Sequence, residues 1–111
     1  MTVDALRAWG ADVDDGLKRC LNDEGFYIML VTSVLTDTKA DELETAVNAG
    51  DLDKGFELAH AMKGMYSNLA LTPICEPVQE ITELLRSRTE TDYSGLLEEI
   101  KKQKAALNAL A

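Results

Sequence analysis

Between Leu52 and Leu69 the apolar residues Leu52, Phe56, Ala59, Met62, Tyr66 and Leu69 recur at intervals of four, three, three, four and three. Such spacing puts all six on one stripe of an α-helix, which turns once every 3.6 residues. Leu58 and Met65 widen the stripe, so a helix over about 52–70 is expected to pack between two neighbours. No segment alternates apolar and polar residues for long enough to form a half-buried strand. The chain is therefore read as all-α.

The other segments follow the same period. Thr2 can cap a short helix carrying Val3, Leu6 and Trp9 that ends at Gly10, and Asp12 or Asp14 can open a second with Val13, Leu17 and Leu21. Asn22-Asp23 offers a cap for a helix from about 24 to 36, with Tyr27, Leu30, Val31, Val34 and Leu35 on its face. Thr36-Asp37-Thr38 weakens the pattern, then Leu43, Ala46 and Val47 resume it until Gly50. The period fits either one bent helix or two over 24–49. Gly50-Asp51 supplies a stop and a fresh cap, and Thr72-Pro73 ends the long helix.

Beyond that break, Ile74, Val78, Ile81 and Leu85 share a face, with Leu84 beside them. A proline deep in a helix loses a backbone hydrogen bond, so Glu76 is expected as the cap with Pro77 in the first helical position. Ser87 to Asp92 reads as a polar loop. Leu96, Leu97, Ile100, Leu107 and Leu110 mark a last helix, with Glu98-Glu99 early and Lys101, Lys102 and Lys104 late, the order its dipole favours. Four long patterns joined by short connections imply an antiparallel four-helix bundle with a short N-terminal helical cap, one domain over 1–111. A chain of 111 residues is long enough to bury a core without staples.

Twenty acidic against eleven basic residues leave a net charge of −9, which repels nucleic acid and anionic lipid and suits a partner with a basic rim. Cys20 and Cys75 lie outside any CxxC, and one histidine cannot complete a zinc set with them, so no metal is expected and both thiols are read as reduced. Neither a secretory leader nor an apolar run of about 18 residues appears, so a cytoplasmic, membrane-free location is expected. The start at Met1 and the end just past the last helix suggest a stand-alone protein.

One stretch carries chemistry. His60 lies just outside the core stripe centred on Ala59 and Tyr66, and Lys63, Gly64 and Ser67 follow at i+3, i+4 and i+7 on the same side. A lone histidine on a helix flank is ordinarily a plain surface residue. Gly64 fits that plain reading worst, because a mid-helix glycine costs roughly 1 kcal/mol relative to alanine. It leaves the imidazole open on one side. Neutral imidazole is a competent nucleophile toward a phosphoryl group, and Lys63 stands where it can offset the added charge. At about 5 Å such a pair contributes roughly 3 kcal/mol at an effective dielectric near 20, and about 1 kcal/mol when solvent-exposed.

Ala59-His60-Ala61-Met62-Lys63-Gly64, followed by Asn68-Leu69-Ala70, resembles the signature of the histidine-containing phosphotransfer (HPt) domain. That signature reads Ala-His-x-Leu-Lys-Gly-x-x-x-Asn-Leu-Gly, on the second long helix of a four-helix bundle. Asn48-Ala49-Gly50-Asp51 resembles the family's helix break, and Gly16-Leu17-x-Arg19 with Tyr27 resembles its N-terminal region. The likeness is strongest over 50–86 and weak after 88, with Met62 for the usual leucine and Ala70 for a frequent glycine.

The resemblance implies that His60 is phosphorylated at Nε2, that Lys63 assists the phosphoryl group and that Gly64 admits a receiver domain. It also implies imidazole contacts from the next helix, for which Gln79, Thr82 and Arg86 are the candidates. A bacterial-type phosphocarrier is then expected: a monomer that passes phosphate between receiver-domain aspartates and works with hybrid histidine kinases, with no cofactor and no kinase or ATP site of its own. A non-phosphorylated four-helix adaptor is the alternative. A hydrolase using His60 as general base fares worst, because no nucleophile lies within reach of the ring and Ser67 is two turns away.

Overall fold

Four short polar side chains start four of the helices. Thr2, Asp12, Asp23 and Asp51 accept hydrogen bonds of 3.1–3.2 Å from the backbone N–H groups of Ala5, Asp15, Phe26 and Lys54. Each satisfies a donor that the first helical turn leaves without a partner. The computed structural model describes residues 1–111 as seven helices and no strand: α1 (Val3–Trp9), α2 (Val13–Arg19), α3 (Glu24–Val34), α4 (Lys39–Asn48), α5 (Leu52–Asn68), α6 (Thr72–Arg86) and α7 (Ser94–Asn108). Gly10 and Gly50 end α1 and α4 with φ of +119° and +77°, a backbone region that glycine enters without strain.

Segment 24–49 is two helices. The first stops at Val34, two residues short of the expected end, and Thr36–Thr38 forms the break. Asp37 holds that break together. Its carboxylate accepts hydrogen bonds from the Lys39 N–H (2.8 Å) and Nζ (2.9 Å), and its carbonyl accepts one from Lys104 Nζ of α7 (2.6 Å). Partial burial pushes the Asp37 carboxyl upward, but the Lys39 hydrogen bonds and the charges of Lys39 and Lys104 outweigh it, leaving a net lowered pKa.

Two expectations are corrected. Helix α6 starts at Thr72, with Pro73 in its first turn and Pro77 inside it, so Glu76 is not the cap. Burial explains the earlier start. Ile74, Cys75, Val78, Ile81 and Leu85 are all buried along α6, and a helix opening at Pro77 would take Ile74 and Cys75 out of that face. Burying one such aliphatic side chain contributes roughly 2 kcal/mol, comparable to the ~3 kcal/mol that an interior proline costs. The second correction is Leu21. It lies beyond α2 in a left-handed turn (φ +57°) and is 88% exposed, so it takes no part in the α2 face.

Helix α5 packs along α4 on one side and α6 on the other, α6 packs on α7, and α7 touches α4. A helix between two neighbours is what the wide apolar stripe of α5 requires. One core cluster draws buried side chains from all seven helices, including Leu6 of α1, Val13 of α2 and Tyr27 of α3. Tyr27 ties the N-terminal helices to the end of α5: its hydroxyl donates to the Leu69 carbonyl at 2.8 Å, and burial pushes its pKa to about 12. The ring lies so close to α2 that a Cβ on Gly16 would stand 2.6 Å from it. Trp9 Nε1–H donates to Gln103 at 3.0 Å and joins α1 to α7. No helix is long and apolar enough to cross a membrane.

Candidate functional site

Helix α5 turns one edge to solvent. Ala59, Met62 and Tyr66 are buried in the core, whereas His60, Ala61 and Gly64 are exposed and Lys63 is half-buried. In an α-helix each Cα–Cβ bond tilts toward the N-terminus, so a side chain lies over the turn that precedes it. Lys63 therefore leans back toward His60, and His60 leans back toward Phe56. Any side chain at position 64 would lean over the imidazole. An ideal Cβ built on Gly64 meets no atom within 4 Å, so internal packing gives no reason for glycine there. Gly55 of the same helix differs: its Cβ would come 3.3 Å from Val47 and 3.6 Å from Leu85.

The imidazole stacks on the Phe56 ring, with centroids 5.6 Å apart and planes inclined at 25°. The Arg86 guanidinium lies over the same phenyl ring at 5.1 Å, within cation–π range, while its Nε–H donates to Glu83 at 3.3 Å. The helical repeat predicts Phe56 on the core stripe. The structure leaves it half-buried, packed against the core and against His60. Its place four residues before the histidine is the signal that was there to find, since i,i+4 side chains are neighbours.

The three candidates on α6 differ in position. Thr82 is fully buried, and its hydroxyl donates to the Val78 carbonyl at 2.6 Å. Gln79 is exposed and lines a groove of about 310 Å³ with Asp15, Arg19, Ser67 and Cys75. Arg86 meets the site through Phe56. No hydrogen bond joins His60 to any of them.

Lys63 belongs to none of the six ion pairs, so its ammonium is free of a carboxylate partner. It is near enough to Cys75 to oppose, in part, the upward push that burial exerts on that thiol. The Ser67 hydroxyl donates back to the Lys63 carbonyl at 2.6 Å and so bonds its own helix backbone rather than the histidine. No group of three or more His, Cys, Asp or Glu side chains comes together in a way that could hold a metal ion.

An exposed imidazole, a free ammonium on the next turn and an open position beyond it can accept a small anionic group delivered by a partner surface. Comparison with known proteins points the same way. The family model described as Hpt domain matches residues 34–110, which takes in α4 to α7 and leaves α1 to α3 ahead of the match. No curated protein and no solved structure matches the chain.

Proposed function

The chain belongs to the Hpt domain family, whose members carry phosphoryl groups in phosphorelays and are not kinases, and we propose that His60 is its phosphoryl acceptor. The observation that carries this reading is the open space at Gly64 beside an exposed imidazole. A mid-helix glycine costs roughly 1 kcal/mol, and here no internal contact accounts for it. Room for an incoming domain does.

In the proposed reaction the donor is an aspartyl phosphate on a receiver domain. The Nε2 lone pair of neutral His60 forms the N–P bond, the acyl P–O bond breaks, and its electron pair stays on the departing carboxylate. The ring then bears the positive charge with its proton on Nδ1, which exchanges with water. Lys63 offsets the negative charge of the bound phosphoryl group, a contribution of about 1 kcal/mol in a solvent-exposed setting. Transfer to a second receiver is the reverse sequence. The receiver supplies the metal ion and acidic pocket, so this chain acts as a stoichiometric carrier without a cofactor.

Hybrid histidine kinases and separate response regulators are the proposed donors and acceptors, met in the cytoplasm by a monomer. The whole chain is proposed to act as one domain, supported by the single core cluster that α1 to α3 share with the matched region. Gln79 and Thr82 are retained as secondary candidates for shaping the imidazole's surroundings from α6.

Incubation with a phosphorylated receiver should give an acid-labile, alkali-stable phosphoprotein, and His60→Gln should abolish the label. Label that persists in His60→Gln rules out this assignment. Receiver binding with no label in the wild type would make the protein an adaptor instead.

A further inference from the structure

Phe56 stands between two groups that bear on the site. One is the His60 imidazole, stacked on it at 5.6 Å, and the other is the Arg86 guanidinium, over its ring at 5.1 Å. We propose that Phe56 is the positioning residue of His60, holding the imidazole plane so that Nε2 faces an incoming phosphoryl group, and that Arg86 acts on the histidine only through Phe56. This inference rests on His60 being the phosphoryl acceptor.

An exposed imidazole on a helix has two soft torsions, and water alone selects no single setting for them. His60 has no hydrogen-bond partner among Gln79, Thr82 and Arg86 to fix its ring. The Phe56 face is the fixed surface within reach. The tilt of helical side chains toward the N-terminus brings His60 down on the turn that carries Phe56. The centroid separation is within the range of favourable aromatic pairs.

Phe56 is in turn held from two sides. It packs against the core cluster, and Arg86, tethered to Glu83 at 3.3 Å, covers its ring. A second bond ties the same two helix ends together, from Arg88 just past α6 to Asp53 one turn ahead of Phe56. The phenyl ring is thus a shelf built by α5 and α6 jointly, and the imidazole rests on it. In-line attack needs the Nε2 lone pair directed at phosphorus. An error of about 1 Å in such an alignment can cost on the order of 100-fold in rate.

The test compares the full-length protein with Phe56→Leu, Phe56→Tyr and Arg86→Gln. Three quantities are read: single-turnover transfer from a phosphorylated receiver, receiver affinity, and the NMR resonances of the His60 ring protons. Phe56→Leu keeps an apolar side chain but removes the aromatic face. It is expected to slow transfer about tenfold, to leave receiver affinity within about twofold, and to move the His60 ring resonances by removing the ring current. Phe56→Tyr should restore both rate and resonances. Arg86→Gln should give a smaller slowing, about threefold, which disappears in the Phe56→Leu background because the two act in series.

Equal rates and unmoved resonances in Phe56→Leu overturn the proposal. So does a slowing that Tyr fails to rescue, or one matched by lost receiver affinity, since either marks a merely structural role. If the wild type itself takes no label, the phosphocarrier reading falls separately. Unmoved His60 resonances in Phe56→Leu would then overturn the stack on their own.

Discussion

Helix α5 holds two interior glycines nine positions apart, and they answer to opposite demands. Gly55 is buried against Val47 of α4 and Leu85 of α6, where a methyl group would press on its neighbours at 3.3–3.6 Å. Gly64 faces open space. Both carry the same backbone penalty, roughly 1 kcal/mol each relative to alanine. At Gly55 three helices converge on the position, so missing volume is useful to the fold. At Gly64 the fold gains nothing from the missing volume, which the proposed function assigns to a visiting receiver domain. One residue type in one helix thus marks a packing seam at one end and, in the proposed function, a docking face at the other.

The largest expected effect breaks the docking end alone. Gly64→Gln would lean a long side chain back over His60, and transfer from a receiver should fall by about 100-fold or more. Its thermal midpoint should not drop, because glutamine is the better helix former. A variant that transfers normally would show that the open position is not for access. Gly16 is an extreme case of the packing kind: its Cβ would lie 2.6 Å from the Tyr27 ring. Gly16→Ala should cost about 2 kcal/mol, seen in denaturant titration as a lower midpoint with little change in slope.

Smaller effects sharpen the contrast. Gly64→Ala should raise stability by about 1 kcal/mol, a midpoint increase of roughly 4 °C, while slowing transfer. No gain in stability there would put Gly64 in the same class as Gly55. Gly55→Ala gains the same helix propensity but presses on Val47. We expect it to stay within about 0.5 kcal/mol of wild type and to become stabilising once Val47→Ala makes room. A double-mutant cycle with no coupling would contradict the close contact.

The smallest effect lies away from both glycines, at the α3–α4 break. The Asp37 carboxyl is held below its ordinary range, so its stabilisation is complete above about pH 4 and is lost as pH falls through the lowered folded-state pKa. The loss should be about 0.5 kcal/mol, and Lys39→Met should flatten it. Acid titration of stability in the two proteins makes the comparison.

The parts of the molecule legible in the sequence share a property: each depends on residues within about one helical turn. The caps at Thr2, Asp12, Asp23 and Asp51 bond to N–H groups three residues on. The grouping of His60, Lys63 and Gly64 follows from the helical repeat alone. Phe56, at the same i,i+4 distance, was equally within reach of that logic. It falls on the core stripe as well, and an aromatic at helical spacing reads first as core.

The misread parts depend on partners far along the chain. Pro77 signals a helix start locally, yet α6 opens five residues earlier because Ile74 and Cys75 belong in a core shared by all seven helices. Leu21 is the local exception: it fits the α2 period but falls in a left-handed turn, closed by the Asn22 N–H on the Leu17 carbonyl at 2.7 Å, and is left exposed. The break at Thr36–Thr38 was ambiguous until Lys104, 67 residues beyond Asp37, closed on its carbonyl.

By itself, then, the sequence determined the helical class, the caps at Thr2 and Asp51 and the stripe carrying His60, Lys63 and Gly64, because hydrogen bonds and side-chain neighbours inside a helix are set by spacing. Only the tertiary structure decided where α6 begins, why Gly16 and Gly55 must be small, and that Arg86 reaches the histidine's neighbour Phe56. Those outcomes turn on burial and contact between helices, and that free energy exists only once distant segments meet.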